Sequence, residues 1–273
     1  MATPAPVQQY LPRLVRDWDD MAPGRMHQAI AGSMVFVDVS GFTKMSERLA
    51  RHGKVGAEEV TEVIGNTFER LLGEAYGYGA SLLKFGGDAL LLFFQGEFHH
   101  LRACAAAVGM RLNLRDLGRF ETTAGHVSLR MSVGVHSGAF DFFMVGESHR
   151  ELIVAGPAAT ETTAMESAAK AGQILVSPST AGLLPRRNVG RAVGPGFLLA
   201  GQVMAEQSEI DPARPKTELS QFLAKALRES LLTGEVEPEH RPTAIGFVHF
   251  MDFDRLMATS GPESAAATLD RLV

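Results

Sequence analysis

A chain of 273 residues, 45% of them hydrophobic, is long enough to bury one full α/β domain and something smaller. Its net charge of −5, from 26 Lys and Arg against 31 Asp and Glu with no basic block, argues against nucleic acid or an anionic membrane surface as the main partner. A single cysteine, Cys104 in the run ACAAAV, excludes an internal disulfide framework and fits a reducing compartment.

In chain order, Tyr10 to Trp18 (YLPRLVRDW) reads as a short amphipathic arm within residues 1–30. The amino terminus lacks a basic head with an apolar core. No stretch approaches the roughly 20 apolar residues of a membrane span, so a soluble, cytoplasmic protein is expected. An apolar strand follows at Ser33 to Val39. Apolar residues at helical spacing then mark a crossover helix from Gly56 to Tyr76. Strands at Ser81 to Phe85 and Ala89 to Phe94 flank a tight hairpin at Gly86, Gly87 and Asp88. A helix at Phe98 to Leu117 precedes the run Val127 to Val145, read as two strands broken near Ser137 and Gly138. Next come a strand at Glu151 to Val154, a helix at Ala158 to Ala169, a strand at Gln173 to Val176 and a closing helix from Ser179. This order predicts an α+β fold, helices packed on a mostly antiparallel sheet, over residues 31–186.

From Arg186 to about Arg241 the texture is that of a connector with some structure, including a helix near Gln221 to Leu232; the linker is assigned to residues 187–240. Ala244 to Met257 (AIGFVHFMDFDRLM) can then be laid on Ser33 to Ser46 (SMVFVDVSGFTKMS) as a faint internal repeat. In that register His249 stands where Asp38 stands, Asp252 replaces Gly41 and Asp254 replaces Thr43. Residues 241–273 thus read as the start of a second, degenerate domain, too short to bury a core alone. The chain is expected to be a fragment of a longer protein.

The chemistry is concentrated in FVDVSGFT (Phe36 to Thr43) and KFGGDALL (Lys84 to Leu91). Each brings one carboxylate, Asp38 or Asp88, to a point where an apolar run breaks into glycine. That is the sequence pattern of a divalent-metal and polyphosphate site. The turn Ser40 to Thr43 offers backbone N–H groups to phosphates, Gly41 permits close approach, and Thr43 adds a hydroxyl. Taken singly, each aspartate is an ordinary turn former and Lys84 an ordinary edge charge; their combination favours a site. His99, His100, His126, His136 and His149 show no metal-ligand spacing and read as surface or core residues.

These residues resemble the class III nucleotidyl cyclases, and within them the soluble, bicarbonate-responsive type with two catalytic halves in one polypeptide. The resemblance covers Met34 to about Leu184 and again Glu239 to Val273. It extends to SVGVHSGAF (Ser132 to Phe140) and MESAAKAGQILVS (Met165 to Ser177). It implies the ferredoxin-like, palm-type fold and the conversion of ATP to 3′,5′-cyclic AMP. It also implies two Mg²⁺ or Mn²⁺ ions held by Asp38, Asp88 and the carbonyl of Val39, with Ser40, Gly41, Phe42 and Thr43 at the phosphates. The family's transition-state Asn and, four residues on, Arg fall here on Thr160 and Ala164. Neither replaces a guanidinium. The resemblance therefore implies a metal-donating half that needs a second cyclase half, and is inactive alone. Lys84 falls where the soluble cyclases line an anion pocket for bicarbonate, but the arginine that accompanies it is Thr163 here. The alternatives are a non-catalytic pseudo-cyclase module and a guanylate cyclase. A diguanylate cyclase fits less well, because FGGDAL lacks the expected second acid.

Overall fold

The computed structural model describes residues 11–21, 23–117, 119–147, 149–208, 219–223, 227–229, 244 and 251–273. The chain divides into two compact units: Ala31–Ala139 with Ala158–Pro212, and Met1–Ile30 with Phe140–Pro157 and Ala213–Val273.

The elements, in chain order, are α1 (Arg13–Met21), β1 (His27–Ser40), α2 (Phe42–Leu49), a 3-10 turn (Ala50–His52), α3 (Gly53–Gly77), β2 (Ser81–Gly86), β3 (Ala89–Gln95) and α4 (His99–Leu117). There follow β4 (Arg119–Thr122), β5 (Gly125–Ser128), β6 (Arg130–Val145), β7 (Glu151–Ala155), α5 (Pro157–Ala168), β8 (Ile174–Val176), α6 (Pro178–Leu183), β9 (Val189–Val193), β10 (Gly196–Leu199) and α7 (Phe253–Asp270).

In the larger unit the strand order is β2-β3-β1-β6-β8-β10-β9. The pairs β2/β3, β3/β1, β8/β10 and β10/β9 are antiparallel. β6 and β8 are parallel, Val133 facing Ile174. The expected α+β class and mostly antiparallel sheet are found. Period-2 alternation on β1 sends Val35, Val37 and Val39 into one core with Leu90, Leu92 and Phe94 of β3. That core is covered by Val63, Phe68 and Leu71 of α3 and by a run of small residues on α4, Ala103 to Ala107. Among them Cys104 is fully buried and its thiol is pushed up to about 12 by burial, so it behaves as a small hydrophobe.

Three features differ from the sequence reading. β6 is one strand across Ser137 and Gly138, not two. Its polar residue does not break it because the Ser137 hydroxyl is hydrogen-bonded inside the core, 2.7 Å from Ser33 Oγ and 3.0 Å from Thr180 Oγ1. An unexpected helix, α2, follows β1 at once; its Phe42, Met45 and Leu49 are buried at i, i+3, i+7 spacing. Residues 189–199, read as connector, form β9 and β10 and extend the sheet, with Leu199 in the core.

In the smaller unit, Asp141 to Val145 of β6 pair with Ala155 to Glu151 of β7. Phe143 and Val145 pack with Ala265, Ala266 and Leu269 of α7, and Phe253 meets Phe143 edge-on with centroids 5.7 Å apart. Trp18 of α1 is fully buried and donates its indole N–H to the Arg25 carbonyl at 3.0 Å. In the repeat register Asp252 overlies Gly41. Both are left-handed caps directly before a helix, at φ 59° and 112°. Their carbonyls accept the corresponding helical bonds, from Leu256 at 2.9 Å and from Met45 at 3.0 Å. Phe247, Val248 and His249 lie outside the described residues, as does half of the segment expected to be helical near Gln221 to Leu232.

Candidate active site

Asp38 occupies the face of β1 opposite Val37 and Val39, with Ala89 as its cross-strand partner. Asp88 lies in the two-residue turn joining β2 to β3, where Gly86 pairs with Ala89. Gly87 takes φ 67° at the first central position, the role that glycine fills in a type II′ hairpin. The Val39 N–H donates to the Asp88 carbonyl at 2.9 Å and ties this turn to the end of β1. Asp38's carboxyl is held above its ordinary 3.8, first by burial and then by the negative charge of Asp88. The two carboxylates that the sequence singled out are thus brought into mutual repulsion at one end of the sheet. A bound cation would relieve that repulsion.

Gly41 follows with φ 112°, and a Cβ there would come within 3.0 Å of the Ser128 carbonyl oxygen and 3.1 Å of Leu129 Cδ2. Both the backbone conformation and the close approach require glycine. No side chain caps α2, so the first-turn N–H groups beyond Gly41 lack intrahelical acceptors and face the anion-favouring end of the helix. Phe42 offers only its backbone, because its ring is buried at 5.5 Å from that of Phe68. The Ser40 hydroxyl is already engaged, donating to the Arg130 carbonyl at 3.2 Å. Thr43 is exposed.

The helix α5 lies on β6 at Gly134, where a Cβ would collide with the Glu166 amide nitrogen and come within 2.5 Å of the Thr162 carbonyl oxygen. This contact sets Glu166, whose Oε1 accepts a 2.8 Å hydrogen bond from Ser132 Oγ. Burial raises the Glu166 carboxyl, the Ser132 bond opposes that shift, and the charge of Asp38 adds to it. Glu166 is a third acidic group of the site that the reading of aspartates missed. The signal was its place in the MES segment. Thr160 and Thr163 are exposed on α5 and Ala164 is half-buried; α5 carries no Lys or Arg. Thr163 turns its hydroxyl onto the Ala159 carbonyl at 3.1 Å.

Lys84 pairs with Leu91, which pairs with Phe36, so the pleat puts Lys84 on the Asp38 face of the sheet. The residue is exposed along the outer strand, yet partial desolvation of its ammonium holds it below the ordinary lysine value of 10.5. Behind the site a hydrogen-bonded chain threads the core from His99 Nδ1 through Ser33 and Ser137 to Thr180 and Ser177, ending on His136 Nδ1. Burial lowers the pKa of both histidines. Single-residue reading gave no sign that they share a network.

The raised Asp38 carboxyl has a consequence for stability. Its ionisation costs the folded, metal-free chain nothing below the unfolded value, and the cost grows as pH rises through the folded value. Asp38→Asn is therefore expected to raise Tm in EDTA near neutral pH. The gain shrinks towards acid pH and reverses relative to wild type when Mg²⁺ is added. Thermal melts at several pH values check this.

Residues 25–197 match the family described as the adenylate and guanylate cyclase catalytic domain. Adenylate cyclase type 10 of Homo sapiens is 29% identical over 153 residues, which is 54% of this chain and 9% of that protein. The Mus musculus protein of the same name is 27% identical over 179 residues, 63% of this chain and 11% of that one. The chain thus spans about a tenth of the length of the curated relatives it matches. Among solved structures, a bacterial light-regulated adenylyl cyclase superposes with TM-score 0.58 at 15% identity, over 82% of this chain and 64% of that chain. The guanylyl cyclase Cya2 gives 0.52 at 24% identity, over 69% and 98%. The adenylyl cyclase CyaB of P. aeruginosa gives 0.51 at 22%, over 68% and 99%. At these identities the structures establish the fold. No helix among the described residues is long and apolar enough to cross a membrane. With the family pattern matched over more than half its length, the chain belongs to the class III adenylate and guanylate cyclases.

Proposed function

We propose that this domain is the metal-donating half of an adenylate cyclase, converting ATP to 3′,5′-cyclic AMP and pyrophosphate together with a second cyclase half. The observation that carries this reading is the repulsion between Asp38 and Asp88 beside an uncapped helix N-terminus. Two Mg²⁺ or Mn²⁺ ions, when bound, would lower the pKa of the ribose 3′ hydroxyl and neutralise charge on the phosphates. Asp38 and Asp88 would hold them, with the Val39 carbonyl as a further ligand. Among the described residues no group of three His, Cys, Asp or Glu side chains is placed to hold a metal ion by itself. The remaining ligands would be water and substrate phosphates, as suits Mg²⁺. Gly41, Phe42 and Thr43 would orient the β- and γ-phosphates through backbone N–H groups. Ser40 would act by fixing the turn, since its hydroxyl is bonded to Arg130.

Thr160 and Ala164 supply neither the amide nor the guanidinium that the transition state needs, so the partner half would bring them. Lys84 remains as one basic wall of an anion pocket, with Thr163 in place of the other, and bicarbonate is its proposed ligand. A cytoplasmic setting accords with this chemistry. The same threonine and alanine favour a second reading, a pseudo-cyclase that regulates a partner without turnover. A guanylate cyclase remains the alternative in base choice.

The chain alone, with Mg²⁺ or Mn²⁺, is expected to make almost no cyclic nucleotide. Adding a cyclase half that carries the Asn and Arg should raise the rate at least about 10²-fold. Strong turnover by the unassisted monomer would defeat the division of labour. No product with any complementing half would favour the pseudo-cyclase. Product analysis with ATP and GTP decides the base.

A further inference from the structure

Three arginines line a cavity of about 440 Å³ in the larger unit: Arg111 and Arg115 from the last turns of α4, and Arg130 from the start of β6. Its apolar wall includes Leu114, Leu129 and Met131, all buried in the core. Arg111 and Arg115 stand four residues apart on one helix face, where like charges destabilise the helix. The effect is visible on Arg111, whose pKa is lowered by burial and then by the charge of Arg115.

The neutralisation expected for such a cluster is small. Arg115 Nε reaches one carboxylate, Asp116 Oδ1 at 3.5 Å, and both of those side chains are more than 70% exposed, so that pair is a weak surface contact. Among the described residues the Arg111 and Arg130 side chains make no hydrogen bond or ion pair. A helix C-terminus accounts for one or two basic residues by its dipole. It does not account for a third arginine brought from a different element onto the same hollow.

Three arginines around an open cavity with an apolar wall suit one ligand chemistry. A phosphate group takes the forked N–H donors, and an organic body lies on the leucine and methionine side. We propose that this cavity is a binding site for a small phosphate-bearing anion, separate from the Asp38 and Asp88 pair. It adjoins the catalytic end of the sheet through backbone. The segment Ser128 to Arg130 that lines it also packs on Gly41 and accepts the Ser40 hydroxyl. The proposal does not depend on the cyclase chemistry, and its test is made without metal or nucleotide.

The experiment is isothermal titration calorimetry of the full chain in EDTA with two probes, inorganic phosphate and fructose 1,6-bisphosphate. Wild type is expected to bind at least one of them with Kd below about 1 mM, weakening as salt is added. Arg130→Gln, at an exposed position that packing does not constrain, and Arg111→Gln should each weaken binding at least about tenfold. Asp38→Asn should leave it unchanged. Tighter binding of the bisphosphate identifies a phosphate ester as the ligand, and equal or tighter binding of inorganic phosphate identifies the free anion. Absence of binding by either probe overturns the proposal, as does an affinity unchanged in Arg130→Gln. Tighter binding in Asp38→Asn also overturns it, by placing the anion beside that carboxylate.

Discussion

Asp38→Ala and Asp88→Ala, each in the domain paired with a complementing cyclase half, are expected to lower Mg²⁺-dependent cyclic AMP formation by about 10³-fold. Stabilising phosphoryl charge with a metal contributes several kcal/mol, and each 1.36 kcal/mol is a factor of ten in rate. Under the proposed function the two carboxylates would act on the same ions, so the double variant should be little worse than either single one. Far-UV circular dichroism should stay unchanged, because Asp38 points away from the Val35, Val37 and Val39 core and Asp88 sits in a turn. Steady-state rates across a Mg²⁺ titration read the effect. A rate within a few-fold of wild type in either variant would remove that residue from the site.

Gly134→Ala is expected to be among the most damaging small substitutions in the larger unit. The added methyl would meet the backbone of α5 at Glu166 and Thr162, and a backbone cannot swing aside as a side chain can. Overpacking of this kind costs about 3 kcal/mol. For a chain of this size that is a fall in Tm of roughly 6 to 12 °C, measured by calorimetry. Because α5 also carries Glu166, a shifted helix would disturb the acidic face around Asp38 and lower the rate obtained with a complementing cyclase half in the protein that still folds. An unchanged Tm would mean that α5 does not press on β6 as described.

Much of this was readable from residues alone. The strands beside Asp38 and Asp88 are apolar runs that break into glycine, and Gly87 is the residue that a two-residue hairpin asks for, so the residues alone put both carboxylates at strand ends. Local pattern failed where long-range packing decides. Ser137 looked like a strand break because a serine beside a glycine usually marks a turn, but Ser33 and Thr180 satisfy its hydroxyl from distant elements. Strands β9 and β10 are short and glycine-rich, and their identity depends on β8 offering an edge. Glu166 was visible as a residue, but its role was not. Only the crossing of α5 over Gly134 brings it near Asp38. The repeat is a middle case: its register is read from residues alone, and the described part of it shows only that Gly41 and Asp252 each take a left-handed conformation before a helix.

The most direct measurement is a Mn²⁺ titration of the isolated domain followed by electron paramagnetic resonance, with and without ATP. Wild type should bind Mn²⁺, more tightly when ATP is present, and the Asp38→Asn, Asp88→Asn double variant should leave the ion unbound by protein, free without ATP and as the ATP complex in solution with it. Equal Mn²⁺ binding by wild type and the double variant would contradict the assignment of these two carboxylates as the metal ligands.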